Sequence, residues 1–526
     1  MRCFANEQNP LPDIDHASAD DDQAWMVPCG VLPPLRSRWL EHTGIVTKSS
    51  IKRNCHLPQP MPRAARQLFS LICGYRDLLH ASAALDDYIE GGLLAAIALH
   101  TAQHLLLSTR CRLRHSKKGS EVPDQGFTRP TVLVVLPFRS HAYNFVQSFL
   151  SLLPASFEQV DNRSRFESEF NEEHDAIAIP AAKPEDYRKL FEGNSDDCFR
   201  IGIRLSRNSV KLFSSFYSSD LIIASPLGLR LGLGVEGEKE VDTDWLSSIE
   251  VLISLYTDVF RMQNWAHFSR LFELINTIPH ETRDTDFSRV RPYVLDGMAG
   301  SLRQTIMLAA HAEPEMRALM LRRCSNCAGR AETLHTYRGI LASVPSGMQQ
   351  LFLRFDASNP ETVADERLAY FRSSLLPRLI RSLNTGSGSQ PILYVPSYFD
   401  FVRVRTLFAD EAIPFAAVSE YTESTEIARI RSALRKGVLG AILLYTERAH
   451  FFRRHLLRGA HHLACYGLPS YEHYYAELAQ MLDQSSRPTC ATIFCKLDLQ
   501  PLRRLVGDVR AAQMLEGKDK MFAFSS

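Results

Sequence analysis

Between residues 131 and 496 the chain repeatedly turns apolar for five to seven residues and then polar again. Thr131 to Leu136, Asp220 to Ala224, Ile249 to Leu255 and Thr305 to Ala310 form a first set of such runs. Pro391 to Val395, Pro414 to Val418, Gly440 to Tyr445, His462 to Tyr466 and Cys490 to Lys496 form a second. Continuous apolarity, rather than alternation, predicts strands buried on both faces, as in a parallel sheet covered by helices. Two sets predict two α/β domains. Upstream, Leu68, Leu71, Ile72, Tyr75 and Leu79 recur at spacings of three and four, which predicts one amphipathic helix from about Ala64. A second helix is expected after the Gly91-Gly92 break. Residues 1–62 are rich in proline, carry Asp20, Asp21 and Asp22 together, and read as an irregular arm. Asp356 to Pro360 reads as a linker, which puts the first domain at 63–357 and the second at 358–526.

The two sets begin alike. TVLVVLPFRSHAYNF from Thr131 and PILYVPSYFDFVRV from Pro391 both read as buried strand, proline, aromatic, polar turn and amphipathic helix. Ligands of parallel α/β sheets sit beyond the carboxyl ends of strands. Pro137-Phe138-Arg139-Ser140 and Pro396-Ser397-Tyr398-Phe399 are therefore where contacts are expected, with a ligand-free turn as the alternative.

Length and composition narrow the class. The 526 residues suffice for two large domains with cores, and 60 basic against 59 acidic residues argue against a chain that coats nucleic acid or acidic membrane by bulk charge, with a local basic face as the alternative. Eleven scattered cysteines do not read as a secreted disulfide framework. The stretch Gly91 to Leu107 is interrupted by His100, Gln103 and His104 and is short for a membrane span. A soluble intracellular protein is expected.

Several chemistries fail on their own requirements. A nucleotide hydrolase needs G-x-x-x-x-G-K-[ST] to cradle phosphates, and that pattern is absent; Gly517-Lys518 precedes Asp519 in a polar tail. A metal-holding acid would end a buried strand, but Ile249 to Asp258 passes Leu255, Tyr256 and Thr257 before reaching its acid. Gly232 to Gly237 matches G-x-G-x-x-G by letter, without a strand before or a helix after. Cys324 and Cys327 have zinc-knuckle spacing without a second pair, and His100 and His104 lack a metalloprotease's glutamate. G-x-S-x-G does not occur.

What remains is TERAHFFRRHLLRG, Thr446 to Gly459, where Arg448, Arg453, Arg454 and Arg458 interleave with phenylalanine after a buried strand. Guanidinium planes and phenyl rings suit phosphate contact and base stacking. A surface helix with Phe451 and Phe452 in the core is the alternative.

These residues also carry a resemblance. YTERAHFFRRHLLRG and LACYGLPSYEHYYAEL, with GNSDDCFRIGIRLSRNSVKLFSSFYSSDLIIASPLGLR, MQNWAHF, DFSRVRPYVLDG, VPSYFDFVRVR and VGDVRAAQML in the same order, closely resemble the digestive organ expansion factor family. The resemblance runs over about residues 64–515. It implies two tandem RecA-like domains of a degenerate DEAD-box-type superfamily 2 helicase. Pro137-Phe138-Arg139 and Ser225-Pro226 resemble strand-end motifs that grip RNA in active relatives. Ser397-Tyr398-Phe399 and Thr446-Glu447-Arg448 stand at the corresponding turns of the second domain. Leu255-Tyr256-Thr257-Asp258 stands where active enzymes have Asp-Glu-Ala-Asp, and the arginine-finger motif is replaced by Tyr471 to Leu478.

The resemblance thus implies a nucleolar, non-catalytic component of the small-subunit processome without cofactor or metal. Its expected partners are small nucleolar RNA, pre-ribosomal RNA and other processome proteins, with no membrane. Phe138, Arg139, Ser140, Ser225, Pro226, Ser397, Tyr398, Thr446, Arg448, Arg453, Arg454 and Arg458 are the expected RNA- or partner-binding residues. The alternatives are an ATP-dependent RNA helicase with an unusual phosphate site and a pure protein–protein adaptor.

Overall fold

A computed structural model describes residues 2–4, 25–44, 61–81, 84–118, 122–171, 179–233, 242–281, 283, 285–357, 359–384, 390–483 and 488–525. The chain forms two compact units, Met1–His335 and Thr336–Ser526.

The first unit is built on a ten-stranded sheet. Its strands are β1 (Arg2–Phe4), β2 (Asp77–Ala81), β3 (Val132–Val135), β4 (Gln159–Asp161), β5 (Arg200–Leu205), β6 (Ser209–Leu212), β7 (Leu221–Ala224), β8 (Val251–Ser254), β9 (Gln304–Ala309) and β10 (Arg330–Glu332). They lie in the order β1-β10-β2-β9-β8-β3-β7-β5-β6-β4. From β10 to β7 every pair is parallel, and β5 runs antiparallel to both β7 and β6. Every residue of β3, β7, β8 and β9 is buried, so the unbroken apolar runs did mark strands covered on both faces.

Two expectations change here. The helix at Ala64 is α1's successor in a packed amino-terminal segment and ends early: α1 spans Pro33–Gly44, and α2 spans only Arg63–Cys73. Gly74 follows, Tyr75 adopts a positive φ of 50°, and Leu79 belongs to β2. Parallel pairing on both sides of Asp77–Ala81 outweighs the helical spacing. The arm is also packed in part. Trp25 meets Trp39 and Phe69 edge-on at centroid distances of 6.4 and 5.2 Å, and Arg38 Nε donates to Ser151 O at 3.2 Å. Two fully buried indoles outweigh the irregularity that the prolines suggest, since each large buried side chain contributes about 1.5–3 kcal/mol. Asp20 to Asp22 lie outside the described residues.

The second unit has seven strands: β11 (Gln349–Arg354), β12 (Pro391–Val395), β13 (Phe415–Val418), β14 (Ile442–Thr446), β15 (His462–Cys465), β16 (Thr489–Phe494) and β17 (Met521–Ser525). They run β13-β14-β12-β15-β16-β11-β17, all parallel except the antiparallel edge strand β17. The domain boundary therefore falls between His335 and Thr336 and not near 357, because β11 pairs inside the second sheet. Gln350 and Arg354 disguised that strand. Both are buried, and Arg354 Nη1 donates to Met514 O and Leu515 O at 2.7 and 3.0 Å.

Both units are parallel-rich α/β sheets, and the chain is a tandem of α/β domains. In each, one central strand is flanked by connections that leave in opposite directions. β3 lies between β8 and β7, and β12 lies between β14 and β15. Crevices at the carboxyl ends of such strands are where ligands of this architecture bind.

Candidate functional site

In the first domain, rings cover the carboxyl ends of β2, β3 and β8. After β2, helix α3 (Leu85–Ile89) carries Tyr88; after β3, helix α4 (Arg139–Leu152) carries His141 in its first turn; after β8 comes Tyr256. Tyr256 stacks on Tyr88 at 3.7 Å and 17° and on His141 at 4.1 Å and 11°. The Tyr256 backbone N–H donates to the Tyr88 hydroxyl at 3.0 Å, which holds Tyr256 at a φ of 54°. A bulky residue in the left-handed region costs energy, and the two stacked faces offset it. Burial holds the His141 imidazole down at about 3, so it packs as a neutral ring. Asp258 Oδ1 accepts from the Ala310 backbone N–H at 3.0 Å.

The expected contact residues nearby are engaged by the protein itself. Phe138 is buried against Phe191 and His141. Arg139 pairs with Asp196 at 2.9 Å, donates to Cys198 O at 3.0 Å and lies over the Phe170 ring. The Ser140 backbone N–H donates to Asn194 O at 2.9 Å. Ser225 is fully buried, and its Oγ accepts from the Gly228 N–H at 2.9 Å to begin the helix that opens at Pro226. GNSDDCF thus closes over the turn that the sequence offered to RNA.

In the second domain, Ser397 caps helix α5 (Tyr398–Asp410), accepting from the Asp400 N–H at 3.4 Å. Tyr398 packs against Phe401 and Tyr421. Phe399 is 83% exposed and Tyr421 68% exposed, an aromatic pair open to solvent at this strand end. Thr446 caps helix α6 (Glu447–Arg453) by accepting from the Ala449 N–H at 3.1 Å, and donates to Glu420 at 3.2 Å. Arg448 pairs with the other oxygen of Glu420 at 3.2 Å.

The arginine run divides. Arg454 turns inward at a φ of 42°, donates to both Glu477 oxygens at 3.0 and 3.1 Å, and lies over Tyr474 at 4.5 Å. His450 joins Glu477 at 3.1 Å and the Tyr445 hydroxyl at 3.1 Å; burial pushes its imidazole down to about 4 despite that carboxylate. Phe451 is buried and Phe452 half-buried, whereas Arg453 and Arg458 are exposed. Half of the run is therefore core and half is surface.

Cys324 and Cys327 flank Asn326, whose Nδ2 donates to Tyr75 O at 2.8 Å and Arg303 O at 2.9 Å. Burial raises the Cys324 thiol to about 11. The spacing serves a turn. Much of Gly232 to Gly237 lies outside the described residues. Among the described residues no helix is long and apolar enough to cross a membrane. Sequence reasoning missed the Tyr88–Tyr256–His141 stack, Glu420 and Glu477, because partners distant in sequence leave no local spacing.

Residues 75–331 match the model of the UTP25 NTP hydrolase-like domain, and residues 340–524 match that of the Utp25 C-terminal domain. The chain is 37% identical to U3 small nucleolar RNA-associated protein 25 of Schizosaccharomyces japonicus, over 90% of this chain and 74% of that protein. It is 35% identical to the human U3 small nucleolar RNA-associated protein 25 homolog, over 93% of this chain and 66% of that protein. A solved structure of the DEAD-box helicase Mss116 bound to ssRNA and UDP-BeF aligns over 91% of this chain and 76% of its own at 12% identity. The TM-score of that alignment is 0.31.

Proposed function

The chain belongs to the UTP25 family, and from that premise we propose that it is a nucleolar, non-catalytic component of the small-subunit processome, acting in pre-ribosomal RNA processing by binding. The names of its relatives support association with small nucleolar RNA and its assembly proteins. The observation that carries the non-catalytic part is the ring stack at the carboxyl ends of β2, β3 and β8. A phosphate site there needs backbone N–H groups and a cation aimed at solvent. Here the Tyr256 N–H is spent on Tyr88, and Asp258 is spent on Ala310.

Phe399 and Tyr421 of the second domain are open for a base or a partner's side chain, with Arg448 held nearby by Glu420. The test is ATP turnover by the purified chain with magnesium and RNA, compared with Asp258→Asn. That variant keeps the acceptor for Ala310 and removes the charge. The two proteins are expected to be equally inactive; turnover by the wild type above the variant would restore the helicase reading.

A further inference from the structure

On the opposite side of the first sheet, at the amino-terminal ends of β3 and β8, lies a cleft of about 720 Å³. Thr131 and Glu250, which precede those strands, line it, together with the Leu205–Arg207 end of β5. Seven arginines line this cleft against three carboxylates, and Asp220 and Asp242 behind the wall still leave an excess of positive charge. That concentration stands out in a chain whose charges otherwise balance. We propose that this arginine-lined cleft binds the phosphodiester backbone of single-stranded RNA. The inference deepens the binding reading above and rests on it, while moving the RNA contact to the other end of the strands.

Three observations carry it. First, the inner guanidinium groups are held in place by carboxylates behind them. Fully buried Asp220 takes Arg129 through both oxygens at 3.0 and 2.8 Å and Arg112 at 2.9 Å. Asp124 takes Arg289 at 2.9 and 3.0 Å, and Glu250 takes Arg291 at 2.5 Å. Burial opposes charge on Glu250, but His104 and Arg291 outweigh it and hold the carboxyl at about 2. Fixed planar forks lose little freedom when a phosphate arrives.

Second, the rim carries uncompensated charge. Arg204 and Arg207 line the cleft, are exposed, and among the described residues have no carboxylate within ion-pair distance. Arg204 also stands directly opposite exposed Lys211 in the antiparallel β5–β6 register. Like charges facing each other across a ladder destabilise it, and a bound anion would relieve that.

Third, Arg283 lies over the Tyr217 ring at 3.9 Å on the cleft wall, with Phe127 also in the lining. The Arg283 plane, held by Tyr217 beneath it and by Asp242 at 2.8 Å, and the Phe127 ring offer flat surfaces that a base uses and that an acidic peptide does not, so RNA fits better than an acidic protein segment.

The experiment titrates the full chain into labelled oligouridylate, read by fluorescence anisotropy across a salt series, with an oligoglutamate peptide as the second probe. Arg204→Glu with Arg207→Glu changes two exposed side chains that hold no ion pair among the described residues. Affinity for RNA is expected to fall at least about tenfold, with the salt slope shallower by about 1.4 for two lost contacts to a single strand. Arg204→Lys with Arg207→Lys is expected to retain binding within about threefold, because the charges remain. Arg453→Glu with Arg458→Glu in the second domain is expected to leave most of the affinity. The proposal is overturned if the first variant binds RNA as the wild type does, if the second-domain variant abolishes binding instead, or if oligoglutamate binds more tightly than RNA and loses affinity in the first variant. These outcomes concern RNA contact alone, so they are separate from failure of the processome reading, which would show in ribosomal RNA levels.

Discussion

Replacing Tyr256 by alanine removes the middle ring of a three-ring stack, and its cost follows from what that ring touches. Truncating a buried aromatic to alanine costs about 3–5 kcal/mol. Stacking on Tyr88 at 3.7 Å adds about 0.5–1.5 kcal/mol beyond burial, and the contact with His141 adds to it. The positive φ is no better tolerated by alanine than by tyrosine, so no relief offsets the loss. The expected total is about 3.5–6.5 kcal/mol. All four tryptophans, Trp25, Trp39, Trp245 and Trp265, belong to the first unit, so urea unfolding followed by tryptophan fluorescence reports on that domain alone. ATP with magnesium should leave the wild-type midpoint where it is, since a ligand that binds only the folded state would raise it. A loss below about 1 kcal/mol would mean that the rings lie loosely over an open cleft. A midpoint raised by ATP would mean that nucleotide enters it. Either result refutes the filled-site argument.

Other consequences concern both domains. Arg454→Ala removes the cation facing Glu477 and leaves it the neutral His450 ring, at an expected cost of about 3–5 kcal/mol, against about 0.5 kcal/mol or less for exposed Arg453→Ala, both by urea denaturation followed by far-UV circular dichroism. His100 and His141 are held neutral by burial, at about 4 and about 3, although an unfolded histidine titrates near 6.5. Below pH 6.5 the unfolded chain therefore takes up protons that the folded domain refuses. Their stabilisation, complete above that pH, is lost by up to about 1.4 kcal/mol per pH unit for each ring as pH falls toward their folded values. A fluorescence midpoint that stays level between pH 6.5 and 5 would contradict this. Trp25→Ala is expected to free the segment ahead of α1 for limited proteolysis while the sheet survives, as mass spectrometry of the fragments would show.

The apolar runs disclosed all nine strands they named, most because a strand buried on both faces writes its environment into consecutive residues, although the edge strand β13 is only half-buried. Among the strands that stayed hidden are several with polar positions: β2 with Asp77 and His80, β11 with Gln350 and Arg354, and the alternating hairpin of β5 and β6. Their polar groups are satisfied by partners far along the chain, such as Met514 for Arg354. The same reason limits reading of the site. Arg139 and Arg454 look free in sequence, and only folding reveals Asp196 and Glu477 beside them. DFSRVRPYVLDG was conspicuous as a segment, yet nothing local said that Arg289 and Arg291 would converge with Arg112 and Arg129 on one cleft.

The central claim is that this protein supports small-subunit ribosomal RNA maturation by binding, without ATP chemistry. Its most direct test is the ratio of mature small- to large-subunit ribosomal RNA in cells depleted of the protein and resupplied with nothing, the wild type or Asp258→Asn. The ratio should fall without resupply and return fully with either protein. A large-subunit defect on depletion, or a failure of the folded Asp258→Asn protein to restore the ratio, would contradict the account.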